Sequence, residues 1–157
     1  KGELSVRIHW GGDSIDHTVA PVLTSEPAVP VPHTLSPCPE AQGVLTPVPL
    51  IRLAYGRSGD KGDQANIGII ARQAEYLPYI WTALTPEVVA NCFSHFLDGR
   101  VERFLLPGIH AINFVLHDVL GGGGIASLRN DAQGKGYAQI LLAQPIDLPA
   151  PLAERIS

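Results

Sequence analysis

The 157-residue chain predicts an α+β two-layer sandwich: a mixed sheet with helices on one face, preceded by an N-terminal β-hairpin and a Pro-rich linker. Three observations carry this reading. After residue 48, short helical patterns interleave with four apolar strand-like runs. The composition changes near residue 50, with eight of the fourteen prolines in 1–49 and twelve of the sixteen glycines after 50. Near the start, Val6, Ile8 and Trp10 alternate with Ser5, Arg7 and His9, the period of a half-buried strand.

Hydrophobic residues make up 45% of the chain, enough for a real core. Eleven Lys and Arg against fifteen Asp and Glu give a net charge of -4, which argues against a nucleic-acid binder. No apolar run is long enough for a transmembrane helix. Cys38 and Cys92 share no ligand-like spacing, so neither a zinc site nor a disulfide framework is expected, and no metal or cofactor is predicted.

The expected organisation has four parts. Residues 1–23 form a hairpin, or the end of a larger domain, turning at Gly11-Gly12-Asp13 and returning over 17–23. Residues 24–47 are an extended Pro-rich linker, because proline removes amide donors and fixes φ. Residues 48–149 are the main domain, and 150–157 a tail.

Within the main domain, 50–55 and 66–71 read as strands and 75–84 as a short helix. Thr85-Pro86-Glu87 supplies an N-cap, a first-turn proline and an acid, with Gly99 as the C-terminal cap of the helix that follows. Residues 101–106 are a strand stopped by Pro107-Gly108, 109–120 read as a helix, and 125–128 as a fourth strand. Residues 137–143 read as a helix, with a strand pairing to 125–130 as the alternative.

Residues 56–66 hold three glycines, Asp60, Asp63, Arg57, Lys61, Ser58 and Asn66 between two apolar strands. Glycine amides that turn inward bind anions, so Arg57, Ser58, Gly59, Gly62 and Asn66 are candidate ligand contacts. Asp60, Lys61 and Asp63 are the acid/base candidates. The plain alternative is a polar surface loop held by Asp–Lys and Asp–Arg pairs. It is neither a Walker A loop nor an EF-hand.

A second group, His110, Asn113 and His117, falls on one stripe of the expected 109–120 helix beside Gly121–Gly124. The two histidines stand about 10.5 Å apart along such a helix, too far for one ion. A third group, Ser127, Arg129, Asp131 and Lys135, runs from a strand end into a helix start, a placement suited to anions. From these groups Asn113, Ser127 and Arg129 join the ligand candidates.

Taken together, Arg57-Ser58-Gly59-Asp60-Lys61-Gly62-Asp63 followed by Asn66-Ile67-Gly68-Ile69 resembles the hallmark of the acyclic terpene utilisation protein AtuA family. The likeness continues through Leu84-Thr85, Val101-Glu102-Arg103, Asn113-Phe114 and Leu120-Gly121-Gly122. It closes on Ser127-Leu128-Arg129, Asp131 and Gly134-Lys135, covering about residues 48–149. The resemblance implies a ferredoxin-like fold, a cytoplasmic bacterial protein and a part in breaking down acyclic terpenoids such as citronellol and geraniol through CoA thioesters.

Members of that family usually carry a larger domain ahead of this one. The resemblance therefore implies a C-terminal domain or small subunit that adds its loop to a shared site for an anionic or CoA-thioester ligand. A non-catalytic, homo-oligomeric assembly module and a small hydratase or lyase acting on an acyl-CoA are the other two expectations.

Overall fold

The structure is a computed structural model and describes residues 4–19, 35–39 and 43–156. Contacts divide the chain after His33 into two units, each described by itself.

The first unit is a hairpin of β1 (Leu4–Trp10) and β2 (Asp13–Val19). Gly11 and Gly12 make its two-residue turn with φ of +55° and +97°, the geometry that glycine favours. One face carries Val6, Ile8, Trp10 and Ile15, and the other carries the Arg7–Asp16 ion pair at 2.6 Å. The strand return expected at 17–23 begins earlier, at Asp13. Residues 20–34 of the expected return and linker lie outside the described residues.

The second unit is α+β, with an antiparallel sheet where a mixed one was expected. Its four-stranded sheet has the order β4-β5-β7-β6, formed by β4 (Ala54–Lys61), β5 (Gln64–Ala71), β6 (Val101–Leu106) and β7 (Ala111–Leu116). Between β5 and β6 run α2 (Leu77–Ala83) and α3 (Pro86–Cys92), and α4 (Tyr137–Leu142) follows β7. The chain order is thus ββα repeated. Moving β4 to the end converts it into the βαββαβ ferredoxin-like pattern, so the sheet is that arrangement with its last strand first.

Period-two alternation decides the two faces. Ala65, Ile67, Ile69, Ile112, Phe114 and Leu116 point one way into the core, where they meet Ile80, Val89, Phe93, Tyr137 and Leu141 from the helices. Gly56 lies on this side because a Cβ there would stand 3.0 Å from the Leu142 side chain. Tyr55, Arg57, Asn66, Ile70, Asn113, Glu102 and Phe104 occupy the other face, which no helix among the described residues covers.

A two-stranded ribbon closes the unit. Here β3 (Leu45–Pro49) pairs antiparallel with β8 (Pro145–Pro149), and each strand turns at a proline into a short helix, α1 (Leu50–Leu53) or α5 (Ala150–Glu154). The expected strand over 50–55 is therefore one helical turn and then the start of β4. Residues 150–154 of the expected tail are the helix α5.

Thr85 caps α3 as expected, its hydroxyl accepting the Val88 amide at 3.2 Å. That helix stops at Cys92, and Gly99 serves a different purpose. A Cβ there would come within 2.5 Å of the His117 carbonyl oxygen, where the chain entering β6 crosses the end of β7.

The expected helix over 109–120 is strand β7. Its apolar residues fit a helical stripe, but Ala111, Ile112, Phe114 and Leu116 are also placed to pair with β5 and β6, and tertiary pairing decides. The expected strand 125–128 is coil, with Ile125 and Leu128 fully exposed, and 137–142 is a helix. No helix among the described residues is long and apolar enough to cross a membrane.

Candidate functional site

The expected loop 56–66 is a tight hairpin. Strands β4 and β5 pair without a break from Ala54↔Ala71 to Lys61↔Gln64, leaving Gly62 and Asp63 as the turn. Gly62 takes φ of +72°, which explains its glycine. The polar sequence belongs to an edge strand, against which residues 135–138 are held through the Ser58 side chain.

Ser58 forms that attachment. Its buried hydroxyl donates to the Lys135 carbonyl at 3.1 Å and accepts the Ala138 amide at 2.9 Å. Asp131 secures the same turn from the other end, one carboxylate oxygen accepting from Lys135 at 2.9 Å and the other from Gly136 at 2.7 Å. Lys135 is thereby bent back over β4, where its Nζ reaches Asp60 Oδ1 at 3.3 Å. Gly59 leaves the space: a Cβ there would stand 2.9 Å from that Nζ.

The result is a cleft of about 320 Å³ lined by Arg57, Ser58, Gly59, Lys61, Asn66, Gly68 and Lys135. Three cations line it, and the carboxylate of Asp60 beside it is engaged by Lys135. Asp60 is held below the usual carboxylate range, first by hydrogen bonding to its own backbone and then by Lys135. Lys61 folds back to the Asp60 carbonyl at 2.9 Å. Among the described residues the Arg57 side chain has no hydrogen bond or ion pair of its own. Asn66 Nδ2 donates to Asn113 Oδ1 at 3.3 Å, which fixes the amide that faces the cleft.

Not all the sequence candidates converge here. Gly62 is the hairpin turn. Asp63 points to the glycine loop, where its carboxylate accepts the Gly122 amide at 2.7 Å and its carbonyl accepts from Val119 and Leu120. Ser127 accepts the Arg129 amide at 3.2 Å, and Arg129 donates to the Phe96 carbonyl at 3.0 Å and to that of Val119. Ser127 and Arg129 therefore brace the 119–129 segment and do not line the cleft formed beside β4. His110 and His117 share no helical stripe. His110 is a turn residue with φ of +51°, and His117 lies at the end of β7, 2.6 Å from Glu102.

Lys135, absent from the candidate ligand set, is brought in by the fold. Its signal was its place after Gly134 at the start of α4, but its distance of 75 positions from Asp60 hid the pairing. No group of three or more His, Cys, Asp or Glu suited to a metal occurs among the described residues.

Chemically, the cleft can hold an anion. A carboxylate whose pKa is lowered is a weak general base near neutral pH, so the geometry favours binding over proton transfer at Asp60. No curated protein and no solved structure matches the chain. The family model described as AtuA ferredoxin-like domain matches residues 48–147, which take in both ββα halves, the 58–63 hairpin tip and its Lys135 attachment, and the chain belongs to that family.

Proposed function

We propose that this chain serves as the C-terminal domain or small subunit of a cytoplasmic AtuA-type protein in acyclic terpenoid catabolism, and that its cleft holds the anionic part of the ligand. A carboxylate or the phosphates of a CoA thioester match the cation set. The remainder of the ligand would meet a larger AtuA-type domain. One observation carries this reading: Arg57, Lys61 and Lys135 surround a single cleft floored by Gly59 and Gly68 and flanked by the Asn66 amide.

Glycine at 59 and 68 lets a ligand approach the backbone, and Arg57 offers a planar fork suited to carboxylate or phosphate. The test is calorimetry and thermal shift on the full chain, with acyl-CoA esters, free acyl carboxylates and inorganic phosphate as separate probes. Binding to the folded state raises the melting temperature. The expected result is saturable binding that weakens at least about tenfold, about 1.4 kcal/mol, in Arg57→Ala and Lys135→Ala. No shift with any probe, or binding indifferent to both substitutions, overturns the reading.

A further inference from the structure

Gly59 is the centre of the cleft. The period of β4 puts Arg57 and Lys61 on the same face as Gly59, one on each side and about 6.8 Å away along the strand. Asn66 is its partner on β5, one strand spacing of about 4.8 Å off. Lys135 comes from beyond the sheet edge, its Nζ 2.9 Å from the place a Cβ would take at 59. Three cations and one amide thus approach one glycine from four sides, and the cleft of about 320 Å³ is the space between them.

Most of these donors are unused. Lys61 Nζ directs one N–H to the Asp60 carbonyl at 2.9 Å, and Lys135 Nζ directs one to the Asp60 carboxylate at 3.3 Å. An ammonium carries three, so two remain on each lysine. The charge is also unbalanced: three positive groups stand against the single negative charge of Asp60, an excess of two. The neighbouring carboxylates do not offset it. Asp63 is turned to the Gly122 amide and Asp131 to the amides of Lys135 and Gly136. Glu102, two strands across from Asn66, is held by His117 and Arg100.

Given the anion-binding reading of the cleft, on which this step rests, we infer that the cleft takes the dianion of a phosphate monoester in preference to a carboxylate. A carboxylate has two oxygens in one plane and one charge, so one cation is left without a partner and one positive charge without balance. A phosphate monoester has three terminal oxygens fanned around phosphorus and nearly two charges at neutral pH. Three oxygens meet Arg57, Lys61 and Lys135, the ester oxygen leads out of the cleft, and the dianion matches the excess charge. The missing side chain at 59 lets the group come close to the strand. Such a monoester occurs on the ribose of CoA and at the head of an alkyl phosphate.

A phosphate monoester takes up its second proton near pH 6, so its affinity should fall about tenfold from pH 7.5 to pH 5. A carboxylate stays largely ionised over that range and should lose about twofold or less. Asp60, whose pKa is lowered, keeps its charge throughout. His117 gains charge as pH falls and would strengthen anion binding, the opposite sign.

Calorimetry on the full chain with hexyl phosphate and hexanoate, which share a tail, tests the preference. Hexyl phosphate should bind at least about tenfold tighter at pH 7.5 and lose that margin at pH 5. Lys61→Gln, at an exposed position, should weaken hexyl phosphate at least about fivefold and hexanoate less. CoA and dephospho-CoA, which lacks the monoester, form the second arm. CoA ahead of dephospho-CoA assigns the monoester to a nucleotide; parity between them, with hexyl phosphate still ahead of hexanoate, assigns it to an alkyl phosphate. Hexanoate binding as tightly as hexyl phosphate, or a phosphate affinity flat with pH, overturns the preference and leaves the cleft a general anion site. Binding of none of the four overturns the anion-binding reading itself.

Discussion

The Ser58 hydroxyl accepts the amide of Ala138 at 2.9 Å, joining residues 80 positions apart across the edge of the sheet. The same oxygen donates to the Lys135 carbonyl at 3.1 Å. One small buried side chain therefore holds the start of α4 against β4, and the position of Lys135 in the cleft depends on it. In Ser58→Ala both backbone groups lose their partner, and an unsatisfied buried group costs about 1–3 kcal/mol. A urea titration should show a lower midpoint with an unchanged slope, and anion affinity should fall as well.

Two adjacent glycines should respond very differently to alanine. Gly123 and Gly124 both have positive φ, +65° and +50°. At Gly124 a Cβ would meet open space, whereas at Gly123 it would stand 2.0 Å from the Gly62 carbonyl oxygen. Gly124→Ala should cost about 1–2 kcal/mol, the left-handed backbone penalty alone. Gly123→Ala must also push the glycine loop off the hairpin turn, so about 3–5 kcal/mol is expected. Thermal melts of the two variants side by side provide the comparison.

Arg103 is a structural cation. It donates to the carbonyls of Trp81 and Leu84 while its guanidinium lies 3.6 Å from the centre of the Trp81 ring. Burial lowers its pKa, and Glu87 opposes that shift. Lysine cannot supply both the planar stack and the fork of donors. Arg103→Lys should lower stability by about 1.5–3 kcal/mol in chemical denaturation.

Acid should weaken the fold through carboxylates whose pKa lies below the ordinary value. Glu102 is lowered first by its hydrogen bond to His117, Glu87 by backbone hydrogen bonding at the start of α3, and Asp60 by its own backbone and Lys135. A lowered folded-state pKa adds stability that is fully present above the unfolded value, about 4, and is lost as pH falls through the folded value. Melting temperature should therefore hold from neutral pH to about 5 and then drop. The drop should be shallower in Glu102→Gln, which has given up its contribution at every pH. A drop of equal steepness in that variant would exclude Glu102 as a contributor.

Much of the fold was legible wherever local and tertiary preferences agree. Thr85-Pro86-Glu87 starts a helix because the hydroxyl, the fixed φ and the acid all act within one turn. Residues 101–106 form a strand on their own pattern. Reading failed where partners distant in sequence decide. The stretch 111–116 fits either a helical stripe or a strand, and only β5 and β6 on either side of it settle the choice. Its signal was Pro107-Gly108, which marks a turn between two strands as well as the end of one. The glycines of 56–62 suggested an open loop, although Gly56 and Gly59 exist to admit Leu142 and Lys135 against a regular strand. The site was half legible: Arg57, Ser58, Gly59, Lys61 and Asn66 gather as the motif suggested, and Lys135 arrives from the other end of the domain.

The ribbon of β3 and β8 sets Leu45 directly opposite Pro149. The segment leading into β4 and the segment leading out of α4 thus lie one strand spacing apart, about 4.8 Å. A module whose incoming and outgoing segments adjoin can be spliced into a surface loop of a host enzyme, provided that residues 150–156 go with it, because Ala153 is buried and Leu152 and Ile156 pack on the core. Evolution can thus relocate the cleft as a single cassette.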